Sequence, residues 1–298
     1  YGTIAPAMLA DYFPKELRGR VFAVFFAAIP IGSAAGYVLG GFIDQHFGWR
    51  EAFFVAGFPG LLLAWLVSRL PDPPRGAQDD PAEMPAGHAA APPGFRAYLG
   101  LLRNRPYLLT VLGYAAYTFA LGGLAFWAPA FLERVRGVPK AEATVQFGAI
   151  VVATGFLGTF AGGWLGDRFL KRWKESYLWV SGVATLAAAP VALVAFVVPE
   201  RPVYMAAIVV CEILLFISTG PVNSAIVNVV SPAERATAVG LSIFAIHSLG
   251  DVPSPPLIGA VSEITGSLAT AFLLVPVAIA LAGLLWLYAA WRGERQAA

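Results

Sequence analysis

The feature that most constrains this chain is a succession of apolar runs of about 20 residues or more, the length that crosses a hydrocarbon core. Residues 21–43, 52–70, 107–132, 143–165, 177–198, 203–230, 236–261 and 268–291 are such runs, and residues 1–13 read as the last turns of another. With 58% hydrophobic residues, 13% charged and a mean hydropathy of +0.69, the chain is far more apolar than an average soluble domain. The expected class is therefore an all-α membrane protein. The single cysteine, Cys211, lies inside an apolar run and excludes an internal disulfide.

One run carries more than packing residues. Residues 231–263 open on Ser-Pro-Ala-Glu-Arg and continue apolar, but with His247, Asp251, Pro253, Pro255 and Pro256 near the middle. Hydrocarbon tolerates neither ionisable groups nor interrupted backbone, so these residues should face protein or a water-filled cavity. The stretch also has an echo 218 positions earlier. Pro14 falls on Pro232, Glu16 on Glu234, Val21 on Val239, Phe26 on Phe244, Gly32 on Gly250, Leu39 on Leu257 and Gly41 on Gly259. Two similar spanning units this far apart predict two related halves, the architecture of many transporters.

Charge placement orients the spans. Lys15, Arg18, Arg20, Arg69, Arg75, Arg96, Arg103, Arg105, Arg168, Lys171, Arg172, Lys174, Arg235, Arg292 and Arg295 fall on one side. Only Arg50, Arg134, Arg136, Lys140 and Arg201 fall on the other. The rich side should be cytoplasmic. Residues 71–93, rich in Pro, Ala and Gly, cannot build a core and read as a flexible linker on that side. Residues 95–102 then alternate apolar and basic groups, as a short surface helix would. The expected division is 1–70, the remainder of a first helical half; 71–106, linker and surface helix; and 107–298, a six-helix second half.

Candidate functional residues follow from these places. His247 and Asp251 are four apart and share a helix face; imidazole titrates near neutrality and a carboxylate beside it favours its charged form. Without N–H groups, Pro253, Pro255 and Pro256 leave the carbonyls of Leu249, Asp251 and Val252 without their usual donors, so a bend is expected. Glu212, Asn223 and Trp127 are further candidates for a substrate or proton site. Asn223 also suits an interhelical hydrogen bond, and Trp127 an interfacial anchor. Gly162-Gly163-Trp164-Leu165-Gly166-Asp167-Arg168 lies on a basic-side loop, where Asp167 should sit near Gly19 and accept N–H groups or pair with Arg18 or Arg20. Asp167, Arg168, Arg18 and Arg20 are thus the gating candidates. Gly32, Gly36 and Gly40, spaced by four, suit close helix packing, with Pro30, Pro253 and Pro255 as hinge candidates.

The Gly-x-Leu-Gly-Asp-Arg loop, with basic residues after it, and the repeated halves resemble the major facilitator superfamily. Within it, Tyr1-Gly-Thr-Ile-Ala-Pro6, Asp11, Ala28-Ile-Pro-Ile-Gly-Ser33, Pro73-Pro74-Arg75-Gly76, Leu124-Ala-Phe-Trp-Ala-Pro129 and His247-Ser-Leu-Gly-Asp251 resemble the spinster-type lysolipid and sphingolipid transporters. The resemblance covers nearly the whole chain. It implies twelve spans, of which this chain would hold part of the fourth through the twelfth, and a functional histidine at the position of His247. The implied activity is secondary, proton-coupled transport of a lysolipid or sphingoid amphiphile by alternating access. A facilitator for a small organic anion or drug-like solute is the alternative, and a non-transporting receptor or scaffold the alternative of another class.

Other chemistries lack their motifs. The sequence has no Gly-x4-Gly-Lys-Ser/Thr loop and no Gly-x-Ser-x-Gly elbow, and its three histidines stand far apart without partners at metal-ligand spacing. The reading is a transporter rather than an enzyme, with no cofactor and no metal. Its partners would be an amphiphilic substrate, protons and membrane lipids, not nucleic acid. It would work as a monomer in a cell membrane, a bacterial inner membrane, with linker and C-terminus in the cytoplasm.

Overall fold

In the computed structural model, residues 4–71, 73–74, 76–78 and 95–297 are described, and among them all regular structure is helical. The helices are α1 (Ile4–Tyr12), α2 (Arg18–Phe47), α3 (Trp49–Val67), α4 (Phe95–Arg103), α5 (Arg105–Arg134), α6 (Lys140–Leu170) and α7 (Ser176–Val197). They continue with α8 (Arg201–Phe216), α9 (Thr219–Asn228), α10 (Arg235–Ile246), α11 (Ser254–Thr265), α12 (Leu268–Ala271) and α13 (Leu274–Ala297). Seven stretches among the described residues are long and apolar enough to cross a membrane.

The internal repeat is visible in the backbone. Both α2 and α10 are entered through a single 3-10 turn, Lys15–Leu17, capped by Pro14, and Pro232–Glu234, opened by the paired Pro232. A fixed φ and a missing N–H suit proline to the first turn of a helix.

Two expected spans are broken, one at the expected prolines and one where no break was expected. Residues 203–230 divide into α8 and α9 at Ile217–Ser218. Pro221 has no N–H for the carbonyl of Ile217, and the Ser218 hydroxyl is held by Thr185, 2.7 Å away, and by the carbonyl of Ser181. Residues 236–261 divide around a π turn, His247–Asp251, closed by the Val252 N–H on the His247 carbonyl at 3.2 Å. The prolines beyond it remove the regular donors, and the Ser254 hydroxyl takes the Asp251 carbonyl instead, at 3.3 Å.

The main core is formed by α5, α7, α8 and α13 around Trp286, Tyr117, Phe131, Phe272 and Leu215. Fully buried Trp286 donates its indole N–H to the Thr110 carbonyl at 2.9 Å, so its one polar atom is satisfied. A second, smaller core joins the α1–α2 group to the rest at the basic end. It contains Ala10, Phe22, Leu101, Tyr107, Ile226, Val227 and Val239. Through Leu101, the predicted surface helix α4 is anchored in that core while Tyr98, Leu99 and Leu102 stay exposed. By contrast α3 buries no residue of its spanning window.

The 71–93 linker departs in part from the flexible coil expected of it. Most of it lies outside the described residues, but Gly76 is buried and its N–H is hydrogen-bonded to Asp11 at 2.9 Å.

Candidate functional site: a polar seal and a broken helix

At the basic end, α2 and α6 approach so closely that a methyl group on Gly163 would lie 2.5 Å from the Gly19 carbonyl oxygen. No side chain fits there, so the two backbones meet directly. This places Asp167, one turn further along α6, over the N-terminus of α2. Its carboxylate accepts the N–H of Gly19 at 2.9 Å and of Arg20 at 3.0 Å, and the Arg20 guanidinium Nε lies 3.2 Å away. The first N–H groups of a helix have no partner within it, and the helix dipole favours an anion there. Tyr177, at the start of α7, places its hydroxyl 2.9 Å from the same carboxylate and 2.6 Å from the Lys15 carbonyl.

Arg18 departs from the expected pairing. Its guanidinium is buried and donates to the Asn228 side-chain oxygen at 2.6 Å and to the Ala10 carbonyl at 2.8 Å. It therefore ties α2 to α9, and Asp167 is left to Arg20. Arg168 is exposed next to Asp167, with no hydrogen bond or ion pair among the described residues. A second ion pair completes the seal: Asp11, at the end of α1, and Arg235, at the start of α10, are both buried and meet at 2.9 Å.

The broken helix sits apart from this seal. His247 Nδ1 lies 2.9 Å from both carboxylate oxygens of Asp251, and the two side chains are 56% and 36% exposed. On the opposite face the π turn is pressed against α5. Gly250 fits against the Ala115 carbonyl and Thr118, whose hydroxyl also reaches the Ile246 carbonyl at 3.1 Å, and Gly122 lies under the Asp251 backbone. The turn is thus fixed on one side and presents its ionisable pair on the other.

The other candidates do not join that pair. Glu212 is buried in α8 without a hydrogen bond or ion pair among the described residues, and no bond links it to His247 or Asp251. Asn223 bonds the Thr219 carbonyl at 2.9 Å and the Tyr114 hydroxyl at 3.3 Å, the interhelical role open to it. Trp127 donates its indole N–H to the Pro255 carbonyl at 2.9 Å and packs against Gly259, which pins α5 to α11. Pro253 and Pro255 flank the break itself. Gly32 faces open space among the described residues, and the side-chain surroundings of Pro30, Gly36 and Gly40 lie outside them.

Tyr177, Asn228 and the Asp11–Arg235 pair were not among the gating candidates. Arg235 had a signal, since it directly follows the repeated Pro-x-Glu, and Asp11 lies three residues before its counterpart at Pro14. For Tyr177 there was none: it reads as one aromatic residue at the start of an apolar run.

Comparison with known proteins fits this geometry. The profile of the Major Facilitator Superfamily matches residues 1–255. Protein spinster homolog 3 of Danio rerio is 33% identical over 279 residues, covering 88% of this chain and 55% of that protein. Sphingosine-1-phosphate transporter SPNS2 of Mus musculus is 33% identical over 314 residues, covering 96% and 57%. The chain therefore spans a little over half the length of these curated relatives. Among solved structures, the facilitator-superfamily transporter FucP in the outward conformation superposes with a TM-score of 0.74 at 16% identity, covering 97% of this chain and 72% of that one; the likeness is one of fold. A helical bundle matched by the family profile over most of its length has one assignment: the chain belongs to the Major Facilitator Superfamily.

Proposed function

We propose that the full-length protein is a proton-coupled secondary transporter of a single-chain amphiphile, a lysolipid or sphingoid lipid, working by alternating access in a cell membrane. The observation that carries this reading is the seal at the basic end, where buried polar contacts, set beside the small second core, join the start of α2 to α6 and α9. Such contacts can exchange for water when the ends part, which a permanent apolar joint cannot do at similar cost. In this reading the basic end is cytoplasmic, and the contacts between α2, α6 and α9 hold it closed. Asp167, Arg20, Arg18, Asp11 and Arg235 form the inner gate.

His247 and Asp251 are the proton-responsive pair. A charge at mid-membrane costs roughly 3 kcal/mol even on the mildest insertion scale, so an exposed pair there persists where water or substrate reaches it. Protonating the imidazole strengthens its attraction to the carboxylate, and a substrate head group competes for either partner. The chemistry of the substrate is taken from the relatives: mouse SPNS2 is named a sphingosine-1-phosphate transporter, and an Arabidopsis thaliana relative a probable sphingolipid transporter. The protein is proposed to act as a monomer, with membrane lipids around its apolar faces.

The test is flux of a lysophospholipid and of a sphingoid base into proteoliposomes holding the full-length protein, with and without a pH gradient. Uptake should depend on the gradient, and His247→Ala should flatten the pH profile while leaving the protein folded. An unchanged profile in that variant would make the pair structural.

A further inference from the structure

The linker after α3 contributes an element that neither transport nor the helix bundle requires. The buried Asp11–Arg235 pair joins α1 to α10, and the same Asp11 oxygen that accepts the guanidinium also accepts the N–H of Gly76 at 2.9 Å. Gly76 is itself buried, in a turn closed by the Ala77 N–H on the Pro74 carbonyl at 3.1 Å, and its φ of +73° lies in the left-handed region. Only glycine adopts that conformation without strain. The turn is fastened a second time where the Tyr12 hydroxyl donates to the Pro71 carbonyl.

A buried ion pair is sustained only when further hydrogen bonds meet the remaining polar capacity of its groups. Arg235 has one in its Nε donation to the Val227 carbonyl at 3.2 Å. For Asp11 the linker backbone supplies one. Asp11 and Tyr12 belong to α1, Arg235 to α10, and the linker itself runs on to α4, anchored beside α10 in the second core. One short turn is therefore bonded to one side of the seal at the residue that reaches across it.

We propose that the turn formed by Pro74, Gly76 and Ala77, with Pro71 ahead of it, is a strap over the inner gate, with Gly76 a positioning residue that holds Asp11 on Arg235. The strap favours the closed basic end and must yield, or follow Asp11 away from Arg235, when that end opens. The inference rests on the gate reading above.

The experiment uses full-length protein in inside-out vesicles, with Cys211 replaced by Ser and a reporter cysteine at Val230, a buried residue of the second core. The readout is the labelling rate by a membrane-impermeant maleimide. Gly76→Ala, strained at positive φ, should raise the rate about fivefold at an unchanged melting midpoint, as should Asp11→Asn; Tyr12→Phe, which leaves the turn's conformation intact, should raise it less. In the double variant Gly76→Ala/Asp11→Asn the two effects should fall short of additive, because both act on one contact. Labelling at the parent rate in Gly76→Ala and Tyr12→Phe, or a lower melting midpoint with unchanged labelling, would overturn the strap. Asp167→Asn separates the two claims: if it speeds labelling while the strap variants do not, only the strap fails, and if none of them does, the gate reading fails.

Discussion

At the scale of single residues, the seal works by giving buried polar groups partners from the other side. Asp167 is the clearest case, since two backbone N–H groups, a guanidinium and a phenol converge on one carboxylate. Asp167→Asn keeps the shape but loses the charge, and should weaken closure by about 1–3 kcal/mol, the range for a hydrogen-bonded charged group. Faster labelling of a gate cysteine from the basic side would report it. Glu175, in the loop before α7, is a different case. Its backbone N–H bonds Glu294 at 3.0 Å, and its side chain lies against Gly293. Burial holds its carboxyl above the ordinary carboxylate value; Lys15 and Lys174 pull it down, and the Glu294 charge pushes it up. The folded protein thus binds this proton more tightly than the unfolded chain. Stability from this group should fall as pH rises from about 4, the ordinary value, through the raised one. Glu175→Gln should remove that component from the melting midpoints of the full-length protein measured across pH, whereas parallel curves for parent and variant would refute the assignment. The position of Asp167 was legible, because a Gly-rich motif ending in an acid and basic residues has few uses at a membrane face, although 162–168 forms the last turns of α6 and not the loop expected of it. That Arg18 turns to Asn228 and Ala10 was not, since the choice between two nearby arginines is made by α9, 210 residues away in sequence.

At the scale of elements, glycines on α6 do two separable jobs. A methyl group on Gly162 would lie 1.8 Å from the Ile217 carbonyl oxygen, inside the α6–α8 contact, while one on Gly163 would meet Gly19 across the seal. Gly162→Ala should therefore destabilise the fold, toward the upper end of the ~1–3 kcal/mol typical of overpacking. Gly163→Ala should leave the melting midpoint near the parent's and instead favour an open basic end. Measuring melting and gate labelling on both variants separates the two roles, and a reversal of the pattern would show that the seal belongs to the permanent core. The π turn was half legible: three prolines forecast broken backbone, and the His247–Asp251 spacing forecast a shared face. Its form depends on Ser254 and on the fit of Gly250 to α5, contacts that no local pattern encodes. The break at Ile217–Ser218 was missed because hydropathy runs unbroken through it; only Pro221, three residues on, marks it.

At the scale of the whole molecule, repeat and charge bias carried most of the architecture. The paired prolines mark matching turns, and Arg18, Arg20 and Arg235, three of the residues expected on one side, all take part in the seal. What sequence could not convey is how the groups of helices meet, because that interface is made of contacts between distant residues such as Gly19–Gly163, Arg18–Asn228 and Asp11–Arg235. The account stands or falls on whether this interface opens. The most direct measurement is the distance distribution between spin labels at Glu16 and Lys171, both exposed on the two sides of the seal, in full-length protein in lipid nanodiscs. The account predicts a short-distance population like the closed end described here, joined by a longer one that grows with a lysolipid or sphingoid substrate and dominates in Asp167→Asn. A single short distance under every condition, unchanged in that variant, would contradict it.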